Sequence, residues 1–435
     1  MSQRLQRVIT FTQPTSLGST ASGRLQRFDV SSWRLRGSDL LDSAPMGRTR
    51  TASARIPALD GLRGIAALAV LISHIMLTFP VFATAVYETD MTITPGTWDW
   101  WITYTPLHLL WAGHEAVFVF FVLSGFVLTL PVISRDTYAW REYYPKRLVR
   151  LYAPVMASVV FGVGMVILVP RVDAGGLGAW LENRPTDPTA WGIFKDVTLV
   201  AGPSRLISPL WSLQWEILFS LLLPLYVVFA TLKPKHVGWK VTSILAALTA
   251  GAVTETQALI YLPMFAAGAL LAVHMQDLRQ WMAHLGRSDW MGLTFIATIL
   301  AASRWTFPLL APGDLPAAVS TIPAFIGCAV FVIIAAFCPA ANRLLEARSV
   351  QWLGMISFSL YLTHEPIVIA LAFVFGPGAS WLVAAAAIPL AIIIGWLFYK
   401  VLESPSHRLA QRVGKAFARK EAPQPTSASA RTRRG

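Results

Sequence analysis

Two residues in the stretch IPALDGLRGIAALAVLISHIMLTF, Ile56 to Phe79, are spaced to do chemistry together. Arg63 stands near its start and His74 sits deep inside it, with a wholly apolar run and one serine between them. Eleven residues of α-helix separate them by about three turns, roughly 16 Å of rise and about 20° of angular offset, so they share one face at two depths. In a membrane-crossing helix Arg63 would lie at a polar boundary and His74 near the hydrocarbon midplane, where an ionisable side chain is costly and marks a functional site by default. The chemistry open to such a histidine is general base catalysis: it takes a hydroxyl proton while a carboxylate orients the ring and stabilises its protonated form.

Counting helix rise from the expected span ends, Ser124, Glu216 and His364 reach roughly the depth of His74, about 12–20 Å into a ~30 Å core. Glu216 is the carboxylate expected beside His74; its alternative is a structural partner for a buried histidine or arginine. Ser124, in LSGF, reads first as a small residue that lets helices approach, and His364 fits a chemical or a packing role equally. Trp211 and Trp215 flank Glu216 in SPLWSLQWE, either lining a route for an acceptor or packing.

A second constellation lies at the polar boundary. Arg63, Arg147 and Arg150 fall at the same ends of their helices, and the last two, three residues apart, share a helix face. Guanidinium forks bind phosphate oxygens bidentately, so a phosphorylated donor such as acyl-coenzyme A would dock there with its acyl arm pointing toward His74. The alternative is topology alone, with the arginines reaching lipid headgroups. Asp60 would cap the first helix or pair with Arg63, fixing the arginine rather than reacting.

The elements that must position these residues follow from composition. The chain has 435 residues, is 55% hydrophobic and 14% charged, and its mean hydropathy of +0.54 places it among polytopic membrane proteins. Apolar runs near 61–82, 114–133, 148–169, 208–231, 238–254, 257–274, 289–304, 317–338, 354–375 and 380–400 predict an all-α integral-membrane bundle of about ten transmembrane helices, the fifth and seventh barely long enough to span. The net charge of +13 comes largely from the two tails and from alternate loops, including those with Arg135, Arg141 and Lys146, with Lys233 and Lys235, and with Arg343 and Arg348. That bias puts both termini in the cytoplasm. It is not a nucleic-acid-binding pattern, since no basic helix or aromatic-basic module accompanies it.

Three regions are expected: a disordered basic cytoplasmic tail over 1–54, a membrane domain over 55–408, and a second disordered basic tail over 409–435. Asp29, Asp39 and Asp42 argue against reading the first tail as a transit peptide, and no apolar core with a cleavage site precedes Gly61. Cys328 and Cys338 would stand about 15 Å apart along one helix, too far for a mutual disulfide, and no zinc-ligand or other metal cluster is expected. Two outer segments are rich in aromatics. Residues 84–113 carry Trp98, Trp100, Trp101, Tyr104, His108 and Trp111, and 170–207 carry Trp180 and Trp191. They read as an interfacial belt or as a stacking surface for a sugar-like acceptor.

The blocks LDGLRGIAALAVLISHI, AVFVFFVLSGFVLT, YYPKRLVRLYAP, PLWSLQWEILF, SFSLYLTHEPI and ESPSHR resemble, in the same order, those of the membrane-bound acyltransferase 3 family, over about Arg55 to Arg408. The resemblance implies a ten-helix domain in the cell membrane, a bacterial inner membrane. It would transfer an acyl group, commonly acetyl, from cytoplasmic acyl-coenzyme A to a hydroxyl of a carbohydrate or other acceptor at the outer face. No bound cofactor is implied; acyl-coenzyme A is a co-substrate, and membrane lipid the surrounding partner. The family's arginine and histidine map onto Arg63 and His74, its paired arginines onto Arg147 and Arg150, its carboxylate onto Glu216, and the histidine of its Y-L-x-H block onto His364. Glu365 departs from the pattern, standing where an aromatic is common. Direct transfer and a covalent acyl-histidine intermediate both fit these residues. The competing reading is a proton-coupled transporter or exporter using His74, Glu216 and His364 as a relay.

Overall fold

The computed structural model describes residues 56–87, 93–172, 176–200, 202–310 and 317–419. The tail expected over 1–54 lies outside these residues. Every regular element among them is helical, as the bilayer requires of a chain that must satisfy its backbone polar groups internally.

Each of the ten expected spans has its helix: α1 (Pro57–Met76), α2 (Gly113–Ile133), α3 (Trp140–Leu168), α4 (Leu210–Thr231), α5 (Val237–Val253), α6 (Gln257–Val273), α7 (Arg287–Ala301), α8 (Ala317–Phe337), α9 (Arg348–Phe375) and α10 (Ser380–Phe398). Seven of the described helices are long and apolar enough to cross a membrane, or eight if α6 is joined to Met275–Met282 across a 69° bend. The count therefore falls below ten. The reason is length: the 15 residues of α7 rise only about 23 Å and the 17 of α5 about 26 Å, short of the ~30 Å hydrocarbon core.

Two glycine contacts set the helix packing around the site. A Cβ on Gly64 of α1 would lie 2.5 Å from the backbone nitrogen of Gly354 in α9, and one on Gly354 would lie 2.2 Å from the carbonyl oxygen of Asp60. Only glycine permits that approach, as small residues do at membrane helix contacts generally. The first turns of the two helices lie together, Gln351 Nε2 donating to Pro57 O at 2.8 Å, and each carries a stripe of 3-4-3 spacing above its glycine: Gly64, Ala67, Leu71, His74 and Gly354, Ser357, Tyr361, His364. Ten residues of equal rise on both helices bring the two histidines to one level. On the other side, Gly125 of α2 and Gly268 of α6 interlock in the same way, with Cβ positions 2.1 Å from Phe265 O and 2.0 Å from Val122 O.

α9 begins at Arg348, six residues before the expected span, so His364 is deeper in its helix than the sequence indicated. α10 passes through a π-helical turn, Tyr399–Glu403, into α11 (Ser404–Arg419). Residues 409–419, expected to begin a disordered tail, are thus helical. The cause is a stripe of small residues, Ser406, Ala410 and Gly414, buried against α3, with Gly414 seated on Glu142 and Lys146. The expected tail beyond 419 lies outside the described residues. Cys328 and Cys338 are both buried free thiols.

The aromatic outer segments divide between belt and interior. Trp98, Trp101 and Trp191 are exposed, whereas Trp111, His108 and Trp180 are buried. Trp111 and Trp305 both lie against the His108 ring, at 4.3 and 4.2 Å between centroids.

Candidate active site

His74 and His364 meet. Their Nδ1 and Nε2 atoms lie 2.7 Å apart, and the ring centres are 4.9 Å apart with planes only 10° from parallel. With that short contact, the two imidazoles lie edge to edge in nearly one plane. The other nitrogen of His364, Nδ1, lies 2.9 Å from the carbonyl oxygen of Leu360, which can only accept. The tautomers follow. His364 carries its proton on Nδ1 and presents a lone pair at Nε2; His74 donates from Nδ1 and is left with a lone pair at Nε2, the form a general base needs.

A buried latch lies on the far side of this pair. Trp180, from the short helix Ala179–Glu182, stacks on His74 at 5.6 Å. The Arg184 guanidinium sits 4.5 Å over the Trp180 ring and pairs with Glu365 at 2.9 Å, both side chains almost fully buried. Glu365 also accepts from the backbone N–H and the hydroxyl of Ser208. A second buried arginine, Arg171, donates to Pro185 O at 3.0 Å; burial lowers its guanidinium to about 10, against the Glu365 carboxylate, which raises it. The departure at position 365 thus has a partner in the outer segment. Trp180 was expected in a belt or stacking surface; it is an interior residue.

From the end where α1 begins, a cavity of about 540 Å³ runs into the bundle, within the range of small-molecule sites. Arg63, Asp60, Arg147, Arg150, Glu403 and His407 line it, and Ser124, Glu216 and Ser212 lie in its wall as well. Phe120 and Tyr361, packed edge to face at 5.7 Å, also belong to the wall, which among the described residues includes neither His74 nor His364. The Tyr361 ring lies 6.0 Å from that of His364 on the other side.

The three arginines, Asp60, Ser124 and Glu216 are therefore brought together in one cavity. Of the two roles open to Glu216, the structure shows the arginine partner: it contacts Arg147 Nη2 at 2.5 Å and the Ser124 hydroxyl at 3.4 Å, while His74 takes His364 as its partner. Arg147 is further held by Ser220 Oγ at 3.1 Å from Nε, so its fork is largely committed, while Arg150 is exposed. Trp211 turns away, stacking on His114 at 5.7 Å and packing on Tyr261 at 4.9 Å. It lies outside both the cavity wall and the histidine pair.

Sequence reasoning missed Tyr361, Arg184, Glu403 and His407 as site residues. Glu403 closes the π-helical turn, a feature frequent at functional sites, and His407 lies one turn further on in α11; both line the cavity, and Glu403 accepts from Ser359 Oγ at 2.5 Å. The signal was local: Tyr361 sits three residues before His364, and Glu403 and His407 both belong to ESPSHR.

Comparison with known proteins bears on this geometry. The family model described as an acyltransferase domain, acyltransferase 3, matches residues 56–400. A relative named acyltransferase MdmB, from Streptomyces mycarofaciens, is 25% identical over 390 residues, covering 82% of this chain and 93% of that protein. No solved structure matches the chain.

Proposed function

Since the chain belongs to the acyltransferase 3 family and is a membrane acyltransferase, we propose that it moves an acyl group, acetyl in the first instance, from cytoplasmic acyl-coenzyme A to a hydroxyl of a carbohydrate or other acceptor at the outer face. The observation that carries this reading is the hydrogen-bonded series Leu360 O, His364, His74, which leaves His74 Nε2 as a base, with Tyr361 of the arginine-lined cavity wall 6.0 Å from the His364 ring.

In this mechanism Arg63 and Arg150 take the donor's phosphates, and Arg147 contributes its remaining N–H groups while Glu216 and Ser220 fix its position. His74 Nε2 removes the acceptor hydroxyl's proton as that oxygen attacks the thioester carbonyl. The new C–O bond forms, the C–S bond breaks, and the proton passes from His74 to the departing thiolate. His364 accepts from the His74 Nδ1–H throughout, a bond that strengthens as the ring becomes cationic. Glu216 acts on the arginine rather than on the histidine. A proton-relay transporter would use the histidine pair but leaves the arginine-lined cavity without a task.

Calorimetric binding of acetyl-coenzyme A to the detergent-solubilised protein tests the donor site. Arg150→Ala should weaken binding by about tenfold, the loss of one charge-assisted phosphate contact of about 1.5–3 kcal/mol partly screened by water. Wild-type protein that binds no acyl-coenzyme A of any chain length would refute the reading.

A further inference from the structure

Tyr361 borders both compartments: its side chain lines the cavity, and its ring faces His364. A thioester carbonyl attacked by a hydroxyl that His74 has deprotonated must come to lie between the cavity and the histidine pair, where this tyrosine stands. As that carbonyl becomes tetrahedral its oxygen gathers negative charge and calls for a donor aimed at it in a water-poor environment. Phe120, Ala66, Val70 and Ala116 pack around Tyr361 and keep the surroundings apolar.

The hydroxyl's present partners leave it free to do this. Tyr361 Oη donates to Pro209 O at 3.2 Å and lies 2.7 Å from Ser212 Oγ. The same Pro209 carbonyl also accepts from the Ser212 backbone N–H at 3.2 Å and lies 3.0 Å from Ser212 Oγ. Each hydroxyl has one hydrogen, so with one spent in the 2.7 Å contact between the two hydroxyls, the carbonyl accepts from the other hydroxyl and from the Ser212 N–H. Tyr361 can therefore leave Pro209 without orphaning a buried carbonyl. Exchanging one neutral carbonyl for another changes the ground state little, and the new bond strengthens only as charge develops, which is how an interaction raises kcat rather than affinity.

We propose that Tyr361 is a catalytic residue, its hydroxyl donating a hydrogen bond to the thioester carbonyl oxygen in the transition state for acyl transfer. The assignment rests on the donor reading above. Other polar groups near that end are already engaged: Ser124 is turned to Glu216, and Ser212 supports Pro209.

The test uses the full-length protein in detergent, with acetyl-coenzyme A as donor and methyl glucoside as a hydroxyl probe, following release of the coenzyme A thiol. Water serves as the acceptor of last resort. Tyr361→Phe should lower kcat by about 100-fold or more, the usual cost of one oxyanion donor, with the acetyl-coenzyme A Kd unchanged. A fluorinated tyrosine at 361 keeps the shape, strengthens the donor, and should hold or raise kcat; it also serves if the phenylalanine variant fails to fold. Full turnover in a folded Tyr361→Phe, or a loss of turnover matched by a loss of donor affinity, would overturn the assignment while leaving the donor site standing. Wild-type protein that binds no acetyl-coenzyme A would instead refute the donor reading, and this assignment with it.

Discussion

Replacing His364 by leucine isolates what the second histidine contributes. In the native pair the His74 Nδ1–H has its acceptor 2.7 Å away; in the variant it faces an apolar side chain of similar bulk. An orphaned buried donor costs about 1–3 kcal/mol, and the neutral ring escapes part of that by shifting its proton to Nε2, where it can no longer act as a base. The protonated ring has no such escape and loses a charge-assisted bond of about 1.5–3 kcal/mol. Since the loss is largest when His74 is cationic, it falls on turnover: at 1.36 kcal/mol per decade, kcat drops by roughly tenfold to about 150-fold. The assay is single-turnover release of coenzyme A thiol from acetyl-coenzyme A, with calorimetry on the same preparation to show that the Kd is unmoved. His364→Gln, whose amide oxygen can again accept, should recover part of the rate. Undiminished turnover in folded His364→Leu would refute the tautomer argument.

Three further outcomes are expected. Arg184→Met strands the buried Glu365 carboxylate and should destabilise the protein by about 3–5 kcal/mol, whereas Arg184→Met with Glu365→Leu should regain most of it; thermal midpoints of the single and double variants decide. Gly354→Ala places a Cβ 2.2 Å from the Asp60 carbonyl oxygen, so α1 and α9 must separate, and both the thermal midpoint and turnover should fall; a midpoint within a degree of wild type would show that the contact is soft. His108, between the spans, has its pKa lowered from 6.5 to about 3, by burial first and then by the Arg304 charge. A histidine held neutral when folded binds fewer protons than when unfolded, so its contribution to stability is present above pH 6.5 and lost as pH falls toward 3. His108→Phe should flatten that acid-side slope in a series of melting curves, and an unaltered slope would assign it to other groups.

What the sequence disclosed and what it withheld have a common cause. Helix rise depends only on residue number, so the depth of His74 and the helices that carry both histidines were legible from spacing; His364 lies deeper than its apolar run implied because α9 starts six residues earlier, at Arg348. Azimuth depends on which helices touch. That is why His74 was paired on paper with Glu216, whereas the Gly64 and Gly354 contact turns α9 toward α1 and supplies His364. The arginines were found because their placement at helix ends is also a matter of rise, yet the commitment of Arg147 to Glu216 needed the packing of α3 on α4. Trp180 could not be located by periodicity, because the Arg184 guanidinium over its ring is held by Glu365, 181 positions further along the chain from Arg184. The extension of α11 was missed because the basic composition of the tail outweighed its buried small-residue stripe.

That the cavity wall includes Phe120 and Tyr361 but, among the described residues, neither histidine, while Trp180 stacks on His74, also bears on permeability. A protein that hands a group from one side of a membrane to the other risks becoming a leak for protons and small ions. Phe120 and Tyr361 stand in the cavity wall, whose described lining includes neither histidine, and Trp180, under Arg184, stacks on His74; for the transfer proposed above, these side chains would interrupt a file of water. Insulation and chemistry then share residues: loosening Tyr361 or Trp180 would raise passive conductance in reconstituted vesicles at the same time as it altered turnover.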